Sequence, residues 1–198
     1  TLHTLLHVEP DKVLRLTMLL HDVAKPVCIT TDEAGQNHFK GHPVKGADMA
    51  KVILRRLKFD NDTTDRVCRL VRYHDDRPEL NARTVRRAMN RIGVENMPAL
   101  FAVKRADTLG QSMYHRQEKL AYVDSFERFF QEICAAQQCV QKKDLAISGS
   151  DLIAMGMKPG KEIGVVLNEL FERVLDEPEL NQRDKLLDMA HNLMTRLI

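Results

Sequence analysis

Apolar residues recur at spacings of three and four along most of this chain, the period of one face of an α-helix. Val13, Leu14, Leu16, Leu19, Leu20 and Val23 predict a first helix with a single buried stripe, ended by Pro26. Residues 27–41 break the pattern. Thr30, Thr31, Asp32, Gly35 and Asn37 there predict a turn-rich loop or short hairpin. Pro43 suits a first helical position, so a second helix is expected from there to about Lys58. Asp62 or Thr63 is expected to cap the next, which carries Val67, Leu70, Val71 and His74 on or near one side. Asn81 caps a shorter helix through Arg91, terminated by Gly93, and another follows to Leu109 and Gly110. Residues 111–138 predict one long helix with Phe126, Phe129 and Phe130 in its core stripe. Gly149 and Ser150 open a short helix closed by Gly156, Pro159-Gly160 start another to about Leu175, and a last helix is expected over 182–197. The Gln137-Gln138 region is the expected seam between two parts. The fold class predicted is all-α, with a core of leucine and methionine and few aromatics.

Composition narrows the class. At 198 residues the chain can bury a good core as one or two domains. No apolar run approaches membrane-spanning length, and no basic-then-apolar leader opens the chain. Cys28, Cys68, Cys134 and Cys139 form no CxxC pair and no zinc-finger spacing, so structural thiols in a reduced, cytoplasmic protein are expected. Formal net charge is +2, yet residues 40–105 hold 16 Lys and Arg against 8 Asp and Glu, about +8 there and about −6 elsewhere. That asymmetry suggests a face that meets phosphates. Arg83, Arg86, Arg87 and Arg91 stand at helical spacing on one side, a stripe that can grip nucleic-acid phosphates; the alternative is a solvated face. Lys158-Pro159-Gly160-Lys161 leads into a helix whose free N–H groups and two lysines offer an anion site, or simply a tight turn.

The chemistry is concentrated earlier. His21-Asp22 closes an apolar helical run and is followed by Lys25-Pro26. Imidazole and carboxylate are both ligands for divalent metals, and a carboxylate can bridge two ions. Downstream stand His42, His74-Asp75 and Asp107, each in a helical setting. Each alone has a bland reading: a helix end for His21 and Asp22, a surface ion pair for Asp107, solvated or structural imidazoles for His42 and His74, helix-end charge for Lys25. As a series over consecutive helices they resemble the HD phosphohydrolase superfamily. The resemblance implies metal-dependent cleavage of phosphate esters by one or two divalent ions (Mn, Ni, Co, Fe or Mg). His21, Asp22 and Asp107 would hold one ion and His42 and His74 a second, with Asp22 bridging and Lys25 steadying a phosphate oxygen. The superfamily has one further histidine upstream. His3 and His7 are both available within the chain, and His3 is followed by Thr4-Leu5; on the other register, with Thr1-Leu2 as the dipeptide after it, that ligand precedes Thr1. His38, His115 and His191 have no partners in sequence.

Nearly the whole chain also resembles the C-terminal two-thirds of bacterial CCA-adding tRNA nucleotidyltransferases and their poly(A) polymerase relatives. The carrying stretches are Leu14-Arg15-Leu16 and Leu19 to Pro26; Phe39-Lys40-Gly41-His42 with Gly46-Ala47; Leu70 to Asp75; Val85-Arg86-Arg87 to Ile92-Gly93; and Arg105-Ala106-Asp107. In the tail they are Ile147 to Ile153 and Met157 to Gly164. Ala24 departs from the Gly usual before the lysine. The resemblance implies an HD-domain helical bundle over 1–110 and a C-terminal helical, tRNA-binding-like region over 111–198. It also implies a piece without the nucleotide-adding head, since no stretch here reads as a strand-rich head with its Gly-Gly turn and paired aspartates. Two functions follow from it. One is an HD phosphohydrolase acting on 2′,3′-cyclic phosphates or nucleotide phosphoesters. The other is a non-catalytic body that binds tRNA or other RNA. Neither implies a membrane partner.

Overall fold

A computed structural model describes residues 1–195, so the last positions of the helix expected over 182–197 lie outside the described residues. A 3₁₀ turn, His3–His7, opens the chain and α1 follows at Lys12–Leu20. Then come α2 (Lys25–Cys28), a small antiparallel hairpin of β1 (Thr30–Thr31) and β2 (Asn37–His38), α3 (His42–Arg56), α4 (Asn61–Tyr73) and α5 (Ala82–Ile92). Beyond these are α6 (Met97–Gly110), α7 (Arg116–Ala135), α8 (Gly149–Ala154), α9 (Lys161–Asp176) and α10 (Arg183–Met194). The protein is all-α apart from that hairpin, in which Thr30 faces His38 and Thr31 faces Asn37.

The chain divides into two compact units, one of Thr1–Pro78 with Ile92–Arg128, the other of Glu79–Arg91 with the chain from Phe129 onward. Residues 79–91 group with α9 rather than with their sequence neighbours. The reason is chemical: guanidiniums on α5 hold the end of α9, as described below.

In the first unit α3 and α4 form a helical hairpin, α1 packs on α4 and α6, and the His3–His7 turn lies on α6. Ala47, Ala50, Leu54, Val67, Leu70 and Val71 are buried between the helices. Gly46 sets the approach of α3. A Cβ there would lie 3.4 Å from Val71 Cγ1, 3.6 Å from the His21 carbonyl and 3.7 Å from Ala24 Cβ, so any longer side chain would push α3 off both neighbours. At Gly110 the Thr4 side chain occupies the space a Cβ would need, which fixes the opening turn against the end of α6. The cap of α4 is Asp60, not Asp62 or Thr63: its carboxylate accepts from Thr63 N–H at 2.8 Å and from Thr63 Oγ1 at 2.7 Å.

Two expectations for α1 change. Its buried side is Val13, Thr17, Met18 and Leu20, while Leu19 is 46 % exposed. Pro26 does not end it. The helix stops at Leu20, a turn carries His21 to Ala24, and Pro26 sits in the first turn of α2, where its missing N–H costs nothing. Likewise α7 begins at Arg116 rather than at 111, after a turn that His115 enters with φ 51°, and Phe126 is its buried aromatic while Phe129 and Phe130 are only partly buried.

The second unit is built around Leu152, Val166, Leu170, Val174, Leu175, Leu186 and Ala190 from α8, α9 and α10. Ser148 and Asp151 cap α8 reciprocally. Asp151 also takes Arg183 at 2.5 Å, linking the starts of α8 and α10.

Gly46→Ala is expected to leave stability within about 1 kcal/mol, since the added methyl makes ordinary contacts, whereas Gly46→Leu loses about 2 kcal/mol or more by overpacking; urea denaturation distinguishes them. Asp60 is held down to about 2 by its bonds with Thr63. A depressed carboxylate stabilises the fold above its ordinary value and stops doing so as pH falls through the depressed one. The stability difference between wild type and Asp60→Asn is therefore expected to shrink as pH falls from 3.8 to about 2, followed by thermal melts.

Candidate metal centre

Three histidines are delivered to one place by the same local device. His21 and His74 follow the last turns of α1 and α4, and His42 opens α3 after Gly41, whose φ of 81° suits glycine. In each ring Nδ1 donates to the carbonyl three residues earlier: Met18 at 2.8 Å, Phe39 at 2.8 Å and Val71 at 2.7 Å. A carbonyl only accepts, so each Nδ1 carries a proton and each ring turns its Nε2 inward.

The Nε2 atoms converge on Asp22. His42 Nε2 and His74 Nε2 are 3.4 Å apart and lie 3.5 and 3.8 Å from Asp22 Oδ1. Among the described residues these three are the group whose donor atoms close on one point, and Asp22 Oδ1 is buried without a hydrogen bond. Two facing lone pairs and an orphaned carboxylate oxygen repel unless a cation stands among them. The spacing suits one: bonds of about 2.1 Å at tetrahedral angles place ligand atoms about 3.4 Å apart. The donor set of two imidazoles and a carboxylate is that of first-row divalent ions.

The other oxygen of Asp22 faces a second group. Oδ2 is 3.3 Å from His21 Nε2 and accepts from Lys25 Nζ at 2.7 Å. His21 Nε2 is also 3.2 Å from Asp107 Oδ1. Burial alone would lower the His21 imidazole, but its bonds with Asp107 and Asp22 outweigh that and hold it up at about 9. Burial would raise Asp22, yet its bonds with His21 and Lys25 keep it well below the carboxylate range; Asp107 is lowered in the same way, chiefly by His21. Burial pushes His74 down, so it stays neutral. Metal-free, the His21 proton supplies the positive charge between Asp22 and Asp107.

The structure thus gathers His21, Asp22, His42, His74 and Asp107 around one carboxylate. Lys25 is tied to Asp22 and lies 5.6 Å from the centre of the Phe39 ring. His3 is exposed and packs edge-on to His7, outside the group. Asp75 is exposed and pairs loosely with Arg77 at 3.7 Å. Sequence reasoning missed two supports. Lys104, buried at 6 % exposure, donates to the carbonyls of His74 at 2.9 Å and Asp76 at 2.5 Å, fixing the end of α4. Gln111 donates to Asp107 Oδ2 at 2.7 Å and accepts from Lys119 at 2.9 Å. A lysine between Val103 and Arg105-Ala106 in a largely apolar helix was a signal for the first; nothing in the sequence marked the second.

The arginine stripe of α5 is not a free face. Arg86 is 4 % exposed and donates to the Leu175 and Asp176 carbonyls at 2.7 and 2.9 Å and to Gln138 Oε1 at 2.9 Å. Arg83 forks onto the Asp176 carboxylate at 2.7 and 2.5 Å, and Arg87 reaches Asp176 at 2.9 Å and Glu172 at 2.8 Å. Arg91 is engaged as well. Arg83, Arg86 and Arg87 cap the C-terminal end of α9, where its dipole favours positive charge. Lys158 and Lys161 are exposed at the start of α9. No helix among the described residues is long and apolar enough to cross a membrane.

Comparisons with known proteins agree on a family. A family model described as tRNA nucleotidyltransferase domain 2 matches residues 44–190. The chain is 32 % identical over 183 residues to the A-adding tRNA nucleotidyltransferase of Deinococcus radiodurans, covering 89 % of this chain and 41 % of that protein. It is 31 % identical over 164 residues to the CC-adding tRNA nucleotidyltransferase of Thermus thermophilus, covering 80 % and 35 %. It is 37 % identical over 73 residues to the CCA-adding enzyme of Lacticaseibacillus paracasei. The chain spans about two fifths of the length of the first of these relatives. No solved structure is a significant match.

Arg86→Ala is expected to lose about 3 kcal/mol, because a buried charge-assisted network is broken and two carbonyls lose their donors; equilibrium urea unfolding is the measurement.

Proposed function

The chain belongs to the tRNA nucleotidyltransferase family, and we propose that it is the helical body with which such an enzyme holds tRNA while nucleotides are added to the 3′ end. The observation that carries this reading is the family match over residues 44–190, which takes in most of both units. RNA is held through its phosphates by exposed cations, with little demand for base reading. With Arg83, Arg86 and Arg87 committed to α9, the cations proposed for that work are Lys45, Arg55, Arg56 and Lys58 on and after α3, with Lys158 and Lys161 at the start of α9, all exposed. The test is filter binding of tRNA over a salt series. Binding that weakens with salt, and a log–log slope that falls by about two to three in an Arg55→Ala, Arg56→Ala, Lys58→Ala triple variant, supports the reading. No tRNA binding at low salt would remove it.

A second reading is favoured by one specific observation, the orphaned Asp22 Oδ1 facing His42 and His74. It is that this body also acts as a metal-dependent phosphohydrolase of the HD type on small phosphate esters. His42, His74 and Asp22 would hold one divalent ion, and His21 and Asp107, sharing Asp22, a second. The ion would supply Lewis acidity at a phosphoryl oxygen. The chain's own part is orientation: the i−3 carbonyls lock each imidazole, Gln111 holds Asp107, and Lys25, two thirds buried beside Asp22, is placed to meet a phosphate oxygen. Metal content after reconstitution with manganese, nickel or cobalt is expected at one to two ions per chain. Asp22→Ala is expected to lower affinity at least about tenfold and to abolish hydrolysis of a generic phosphodiester. A protein that takes up no metal and turns over nothing, yet binds tRNA, leaves the first reading alone.

A further inference from the structure

Beside the histidine cluster, within the first unit, lies a cavity of about 350 Å³. His74 and Asp107 line it, so it opens onto the cluster; Arg77, Lys104, Lys119 and Tyr122 line it too. We propose that this cavity is an anion subsite in which Arg77, Lys104 and Lys119 hold a second phosphate group of a ligand whose first phosphate sits at the cluster. The inference rests on the phosphohydrolase reading for the placement of that first phosphate, and names a property of the substrate: two phosphate groups rather than one.

The charges carry the argument. Two carboxylates also line the cavity, but both are occupied. Asp107 is shared between His21 Nε2 at 3.2 Å and Gln111 at 2.7 Å, and Glu118 accepts from His115 Nδ1 at 2.6 Å. The cations are less committed. Lys119 donates to the neutral Gln111 Oε1, and Arg77 stands 3.7 Å from Asp75, beyond hydrogen-bonding distance. Lys104 is the unusual one. An ammonium at 6 % exposure is expensive to bury, and the two bonds described for it are to carbonyls, leaving a third N–H. An anion in the cavity would offset that desolvation. Arg77 offers a planar fork that matches two phosphate oxygens. Tyr122 OH donates to the Pro78 carbonyl at 2.7 Å, anchoring the chain immediately after Arg77 so that the fork is held from a fixed backbone. The volume is at the low end for ligand sites, enough for a small ester or for one chain terminus and too small for folded RNA.

The probe is inorganic pyrophosphate, titrated calorimetrically into protein stripped of metal with a chelator. One pyrophosphate per chain is expected to bind, with at least tenfold weakening in Arg77→Ala and in Lys119→Ala and no change in Lys142→Ala, an exposed control in the second unit. Thermal melts of each variant show that it is folded. Pyrophosphate that fails to bind at millimolar concentration, or that binds the two cavity variants as it binds wild type, overturns the proposal. Competition separates the two sources of the anion: displacement by a short 5′-phosphorylated oligoribonucleotide points to an RNA terminus, and displacement by adenosine 5′-diphosphate points to a small ester. Because binding is read without metal, absence of turnover sinks the phosphohydrolase reading and leaves this result standing. Turnover with unchanged pyrophosphate binding in Arg77→Ala sinks the subsite alone.

Discussion

A carboxylate oxygen taken out of water and given no hydrogen bond is costly unless positive charge stands beside it. Asp22 has one such oxygen, facing His42 and His74, and its other oxygen is balanced by His21 and Lys25. The first unit is arranged around that imbalance. Gly46 lets α3 come close enough to bring His42 in, Asp60 caps the helix that ends in His74, and Lys104 ties down the carbonyls just after that end. Gly46 acts through close packing, whereas Asp60 and Lys104 act on helix termini, where backbone groups are unsatisfied and a side chain can be oriented by them. The site is thus made of helix ends rather than helix faces, and the imidazoles inherit their tautomer from the carbonyls that precede them.

The sequence was legible where one residue type had one job. Period and punctuation located the helices, and the pairing of His21 and Asp22 with His42, His74 and Asp107 pointed to residues that do meet in space. Boundaries were harder. Pro26 was expected to stop α1, but a proline stops a helix only if the helix reaches it, and α1 had already ended at Leu20. Asp62 and Thr63 resembled caps as well as Asp60 does; only the geometry of the first turn selects among closely spaced cap-forming residues. The arginine stripe of α5 was read as facing outward because partners 85 to 93 positions away leave no local trace. Gln111 was invisible for another reason: its partner Asp107 is only four positions away, but an amide holding a carboxylate has no pattern.

Net charge by segment proved a poor guide to field. Much of the excess positive charge between residues 40 and 105 comes from α5, yet Arg83, Arg86 and Arg87 are engaged by the carboxylates and carbonyls at the end of α9. What a polyanion meets is set by the cations left over, which are concentrated on α3 and after it. The family match over residues 44–190 takes in His74 and Asp107, while His21, Asp22 and His42 stand before it.

The path of the chain carries a consequence for how this protein can be taken apart or recombined. The first unit is left after Pro78, re-joined at Ile92 and left again after Arg128. A single cut anywhere between residues 79 and 128 leaves at least one unit divided between two fragments. Modular exchange at one junction, the simplest route by which domains are shuffled, is closed here except near Arg128, and even there the graft would leave residues 79–91 behind with the wrong partner. No single cut leaves both units whole.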